Sequence, residues 1–328
     1  MNARPVVVDA PPRGVACVGD PPALRYAALG DSLTEGLGDP AAGGGWRGWA
    51  ALLTEGLAGP PSAVELVNLS RSGALAADVA GPQLAAARRL RPDLASVVVG
   101  GNDTLRAAFD IRRVAESLDR TIGSLRADGS VVLTACLPDP GRILGLPAPL
   151  ARPLGRRMAA VNTVVHALSA AHGAVHVHVA RFPWVADRAV WSVDRLHPSE
   201  LGHRLLAREF HAALAARGLA TGPAPSLTPE RPAPSPAASA WWLATRGTRW
   251  VLDRCVDLLP GLLSLAVAEA RHRLLRTDHL LDDRVLRATE EALAAVERAR
   301  SYDLTVARPA PGLPGPRRAG AHATAAEG

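Results

Sequence analysis

Apolar residues along this chain fall into two alternating kinds of run. Short continuous runs occupy residues 25–29, 64–69, 94–99, 131–135 and 175–179. Their length suits strands buried on both faces. Between them, apolar residues recur at spacings of three and four, which predicts helices at about 46–57, 78–90, 111–126, 154–171 and 200–216. Strands that alternate with helices predict a five-stranded parallel sheet covered on both faces. With right-handed crossovers, the natural arrangement is a flavodoxin-like α/β fold, a three-layer α/β/α sandwich.

The pattern changes at both ends. Residues 1–22 are punctuated by proline and read as disordered. Residues 221–239 hold six prolines, from Pro223 to Pro236, which predicts a stiff extended linker. Beyond it, helical patterns at 241–259, 262–276 and 279–302 form a C-terminal helical extension. The last of them carries Leu281, Val285, Ala288, Ala292, Val296 and Ala299 on one stripe. The expected organisation is an N-terminal segment at 1–22, a main domain at 23–220, a linker at 221–239, helices at 240–304 and a disordered tail at 305–328.

Composition narrows the class. All 37 basic residues are Arg, yet the net charge is only +6, so no nucleic-acid partner is expected. Cys17, Cys136 and Cys255 are odd in number and far apart, which gives neither a disulfide framework nor a Cys-pair metal site. The early run Val6-Val7-Val8 is too short for a signal-peptide core. The longest apolar run, 258–268, contains Pro260 and falls short of the ~20 residues of a spanning helix. A cytoplasmic protein is the expectation.

Chemistry-bearing residues gather where strands are predicted to end, the edge at which open α/β sheets bind ligands. The first block is Gly30-Asp31-Ser32-Leu33-Thr34-Glu35-Gly36, with Ser32 a candidate nucleophile. The second, after strand two, is Asn68-Leu69-Ser70-Arg71-Ser72-Gly73; Gly73 permits a sharp turn that leaves its N–H free. The third is Gly100-Gly101-Asn102-Asp103, where Asn102 offers an amide donor. The fourth is Asp194-Arg195-Leu196-His197-Pro198, whose offset of three lets the carboxylate fold back to its own histidine. Ester cleavage assigns each block a duty. A serine hydroxyl needs a base, here His197. Asp194 fixes the histidine tautomer. The N–H groups of Ser32 and Gly73 and the Asn102 amide would meet the oxyanion.

The four blocks are similar to those of the SGNH/GDSL hydrolase family, supplying the Ser, Gly, Asn and His of its name. Gly38-Asp39-Pro40, Trp46-Arg47-Gly48-Trp49 and Gly202-His203 extend the resemblance to the family's GC-rich bacterial branch, over residues 24–218. The resemblance implies hydrolysis of carboxylic esters or thioesters, with a small-molecule acyl ester as substrate and no metal or organic cofactor. Two rivals stand beside it: a non-enzymatic interaction protein acting through the C-terminal helices, and a membrane-associated (lyso)phospholipase. Trp241, Trp242 and Trp250 beside Arg246 and Arg249 suggest peripheral membrane binding, but 13 Arg against 11 acidic residues from 240 onward give no polybasic signal. Docking of these helices on the main domain, or self-association through them, is the expectation.

Several residues have plainer readings. Asp31 and Asp103 are expected to bond loop amides. His203 is expected on a helix surface. His176 and His178 alternate on one strand and share a face, but no further ligand at suitable spacing accompanies them. Cys136 is read as a small buried hydrophobe, and Trp184 and Trp191 as candidate walls of an acyl pocket.

Overall fold

The computed structural model describes residues 24–58, 64–231, 261 and 263–306. Five strands form one parallel sheet in the order β2-β1-β3-β4-β5: β1 Leu24–Gly30, β2 Val64–Asn68, β3 Leu94–Val98, β4 Val131–Ala135 and β5 Val175–Val177. Alternation along β1 divides the core. Tyr26 and Ala28 face one apolar cluster, Ala27 and Leu29 the other, and all four are fully buried. This is the α/β/α sandwich that strand-helix alternation predicts.

Helices complete the layers. A one-turn helix, α1 (Ser32–Glu35), follows β1, and α2 spans Gly48–Leu57. After β2 come α3 (Ala76–Asp78), a π-helical turn at Val79–Gln83 and α4 (Leu84–Leu90). The remainder are α5 (Gly101–Thr104), α6 (Ile111–Ala127), α7 (Pro140–Ile143), α8 (Ala148–Ala171) and α9 (Glu200–Ala215). On one face α2 and α9 pack together, Trp49 stacking on Phe210 at 4.5 Å between ring centres. Such a pair adds roughly 0.5–1.5 kcal/mol beyond its buried area. On the other face, α4, α6 and α8 cover the sheet.

Two boundaries differ instructively from the sequence pattern. The helix expected from 154 starts at Ala148, because the Leu150 and Ala151 amides already bond Pro147 O and Pro153 is accommodated inside. The helix expected across 78–90 is broken into three pieces. Gly81, with non-helical φ/ψ, and Pro82 open the middle into a wider turn.

At the C-terminus, α10 (263–274) and α11 (His279–Val306) are helical. Ala292 and Val296 of α11 are buried in the same cluster as α6 and α8, with Val285, Ala288 and Leu293 at its margin, whereas Ala299 is exposed. Glu269 of α10 is buried and accepts hydrogen bonds from the Arg156 guanidinium of α8. Residues 221–231 form neither helix nor strand, and hydrogen bonds from Thr221 and Gly222 to Leu57 and Gly56 hold their start against α2. No helix among the described residues is long and apolar enough to cross a membrane. The segment expected to be disordered at 1–22, the helix at 241–259 with its tryptophans and most of the linker lie outside the described residues, as does the tail expected at 305–328 apart from 305–306, which α11 includes.

Candidate active site

β1 ends at Gly30, and the chain turns at once into α1. Asp31 caps that turn, its Oδ1 accepting the Leu33 amide at 3.0 Å. Ser32 is therefore the first helical residue, fixed at the carboxyl edge of the sheet. Gln83 secures the peptide just ahead of it. The side-chain amide receives the Gly30 N–H and donates to Gly30 O, both at 2.9 Å, taking the place of a neighbouring strand.

His197 arrives on the loop before α9. This loop closes on itself: the Ser192 amide bonds His197 O at 2.8 Å and the Ser199 amide bonds Val190 O at 2.8 Å. Arg195 takes a left-handed backbone, φ 56°, at a cost of roughly 1–2 kcal/mol. That turn folds Asp194 back, so that its Oδ1 accepts the Leu196 and His197 amides and the Ser192 hydroxyl. Asp194 Oδ2 lies 2.7 Å from His197 Nδ1, and His197 Nε2 lies 2.8 Å from Ser32 Oγ. A carboxylate can only accept, so Nδ1 carries the hydrogen and Nε2 is free to accept from the serine hydroxyl. Burial opposes the charge on Asp194, but the His197 and Ser192 bonds outweigh it and hold the carboxyl well below the usual range.

The Gly36–Gly48 loop is locked against this one. Arg47 pairs with buried Asp39 at 3.0 Å and with Glu200 of α9 at 3.0 Å. Gly38, at φ 102°, passes so close to the His197 loop that a Cβ there would lie 1.9 Å from Pro198 O. His203, expected on the surface, is instead completely buried, because its ring ties α9 to this loop. Nδ1 accepts the Trp49 amide and Nε2 donates to Leu37 O. Burial first of all pushes its pKa down to about 4.

Ser32, Asn102, His197, Trp184 and Trp191 line one cleft of about 870 Å³, mouth included. Its floor is apolar, with Val98, Leu137, Met158 and Leu206 drawn from the core. Asn162 of α8 holds the Leu137 peptide by both N–H and C=O at 2.8 Å. Asn102 Nδ2 donates to Ala74 O at 3.1 Å and to Asp31 Oδ2 at 3.3 Å. Asp103 accepts the Ala76 amide, the loop-bonding duty expected of it. Gly73, at φ 81°, lines an adjoining hollow rather than the cleft. Its loop is tied to α1 where Asn68 Nδ2 donates to Thr34 O and the Ser72 amide to Glu35. Among the described residues, the N–H groups of Ser32 and Gly73 have no hydrogen-bond acceptor.

Gln83, Asn162 and Ser192 escape a reading by motif, since each acts on a partner distant along the chain or on a single loop atom. The one available signal is a polar amide at a helical position otherwise flanked by apolar residues. His166 and Cys136 also escape it. They join His176 and His178 in a cluster of side chains with metal-ligating atoms that the sequence spacing does not reveal.

GDSL-like esterase Rv1075c of Mycobacterium tuberculosis (strain ATCC 25618 / H37Rv) is 33% identical over 130 residues, 38% of this chain. The match spans only 40% of that relative's length. Among solved structures, LAE5, an alpha/beta hydrolase enzyme from the metagenome of Lake Arreo, is 23% identical, with 59% of this chain and 96% of that one covered and a TM-score of 0.49. Axe2, an acetylxylan esterase from Geobacillus stearothermophilus, is 20% identical, with 58% and 94% covered and a TM-score of 0.48. At that distance neither structure bears on activity. The profile of the GDSL-like lipase/acylhydrolase family, however, matches residues 28–205, more than half of the chain and the stretch that holds Ser32, Gly73, Asn102, Asp194 and His197. By that match the chain belongs to the GDSL-like lipase/acylhydrolase family.

Proposed function

We propose that this protein is a serine esterase that cleaves carboxylic esters of small molecules with an aliphatic acyl chain. One observation carries the reading: the unbroken relay from Ser32 Oγ through His197 to Asp194, at 2.8 and 2.7 Å, opens into a cleft floored by core side chains. Ser32 Oγ attacks the carbonyl carbon as its proton passes to His197 Nε2. Asp194 stabilises the imidazolium. The oxyanion takes hydrogen bonds from the Ser32 amide, from Asn102, which exchanges its 3.3 Å bond to Asp31 for the oxyanion, and from the Gly73 amide once its loop turns toward the cleft, each worth roughly 3–4 kcal/mol of barrier. His197 then returns the proton to the departing alcohol, leaving an acyl group on Ser32. Water, deprotonated by His197, releases the acid. The apolar floor favours acyl chains over bare acetate, because each buried CH₂ contributes about 0.8 kcal/mol.

The test is turnover of a p-nitrophenyl ester series of increasing acyl length. Ser32→Ala is expected to lower kcat roughly 10⁴-fold or more, and Ser32→Ala with His197→Ala to do no further harm, since the two act as a unit. A fluorophosphonate is expected to label Ser32. Equal rates for wild type and Ser32→Ala on every ester would overturn the proposal.

A further inference from the structure

Behind the cleft, four side chains with metal-ligating atoms converge from three parts of the fold. Cys136 follows β4, His176 lies in β5 with His178 just beyond it, and His166 projects from α8. One ligating atom from each lies within 4.8 Å of the others. The three imidazoles stand edge-on to one another, with ring centres 4.5, 4.8 and 4.8 Å apart.

Proton bookkeeping fixes the most enclosed ring. The Ser169 hydroxyl has one hydrogen and gives it to Val165 O. The 2.7 Å bond between Ser169 and Thr134 is therefore donated by Thr134. Thr134 Oγ1, its own hydrogen spent, can only accept from His176 Nδ1 at 2.9 Å. His176 is thus held with hydrogen on Nδ1 and a lone pair on Nε2. That Nε2 is buried and has no partner among the described residues. An oriented ring with one nitrogen bonded outward and the other bare is how protein frameworks present histidine to a metal. A buried lone pair left empty is otherwise costly.

We propose that Cys136, His166, His176 and His178 bind a zinc-class divalent transition metal ion, which staples α8 to the ends of β4 and β5. Three imidazoles and a thiolate suit a tetrahedral ion of borderline softness. Tetrahedral bonding sets neighbouring ligand atoms roughly 3.3–3.8 Å apart, so side-chain rotation closes the cluster from its present spread. As the metal enters, the hydrogen between His178 Nδ1 and His166 Nε2, 3.0 Å apart, moves to the far nitrogen of the ring that carries it, so both imidazoles bind neutral, and the thiol proton leaves to solvent. Exposed His178 gives the ion a path from solvent. Ala135, Leu137 and Val179, neighbours of Cys136 and His178, line the substrate cleft on the opposite side of the same strand ends. The ion would brace the cleft wall from behind without meeting substrate.

The experiment uses the full chain, purified without a histidine tag and stripped with chelator, and reads binding rather than turnover. It is thereby independent of the esterase reading. Zn²⁺ is expected to bind at one equivalent and, at a hundredfold excess over Kd, to raise Tm by about 5–10 °C. Co²⁺ is expected to give intense tetrahedral d–d bands together with a thiolate-to-metal charge-transfer band. Cys136→Ala should abolish the charge-transfer band. His178→Gln, at an exposed position where folding is not at stake, should weaken Zn²⁺ binding at least tenfold. Absence of the charge-transfer band in the wild type, or unchanged Zn²⁺ affinity in His178→Gln, would overturn the proposal.

Discussion

Three carboxylates around the proposed nucleophile respond to their surroundings in opposite senses. Burial, first of all, pushes Asp31 up to about 6; the Leu33 amide and His197 pull it down, and Asp103 pushes it further up. Asp103 is likewise pushed up to about 6, chiefly by burial. Between pH about 4 and 6 the folded protein therefore holds more protons on these two groups than the unfolded chain does. Stability must fall as pH rises through that window. Asp194 has the other sign. Its depressed carboxyl contributes stability that is complete above pH ~4 and lost below it. Asp31→Asn keeps a capable helix cap, gives up the 3.3 Å acceptor for Asn102 and removes one of the two larger penalties, on the order of 2–3 kcal/mol at pH 7. Urea midpoints measured from pH 4 to 8 should show the variant more stable at pH 7 and less dependent on pH between 4 and 6. Parallel curves for the two proteins would contradict this assignment. The residues legible in the sequence are those whose proposed roles are written locally. Asp194 and His197 meet across one turn, and Ser32 stands in a contiguous block. Gln83 and Asn162 each grip a peptide more than twenty residues away, so only the packed fold brings their duty to light.

Elements repeat the lesson. The stripe on α11 is legible as a 3.6-residue period, but what covers it is set by the opposing faces of α6 and α8. Val296 is 3% exposed in the shared core, whereas Leu286, one side of the same helix, is 56% exposed. Val296→Asp strands a charge among apolar side chains and should cost about 3 kcal/mol or more. Leu286→Asp should stay within about 0.5 kcal/mol. Chemical denaturation of the two variants separates docking from a free-standing helix, since similar losses in both would mean that α11 is not held as described. His203 is the converse case. Its spacing to Ala207, Phe210 and Leu214 places it on the buried face of α9, a period available in the sequence but masked by the polarity of imidazole.

Across the whole molecule, α11 belongs to the same apolar cluster as the sheet's own helices, so the sandwich and its C-terminal helix share one core. Far-UV circular dichroism and loss of ester turnover should consequently report one coincident thermal transition. A separate earlier melt of helical signal, with turnover intact, would show two independent units. The π-helical turn at Val79–Gln83 also acts at this scale. An α-helix advances about 100° per residue, so the turn's extra residue works as an angular spacer. Shorten it by one and position 83 would swing roughly a quarter-turn from the end of β1, leaving the peptide before Ser32 without its lateral grip. What looks like a helical irregularity is the gauge that sets where the proposed nucleophile's loop begins.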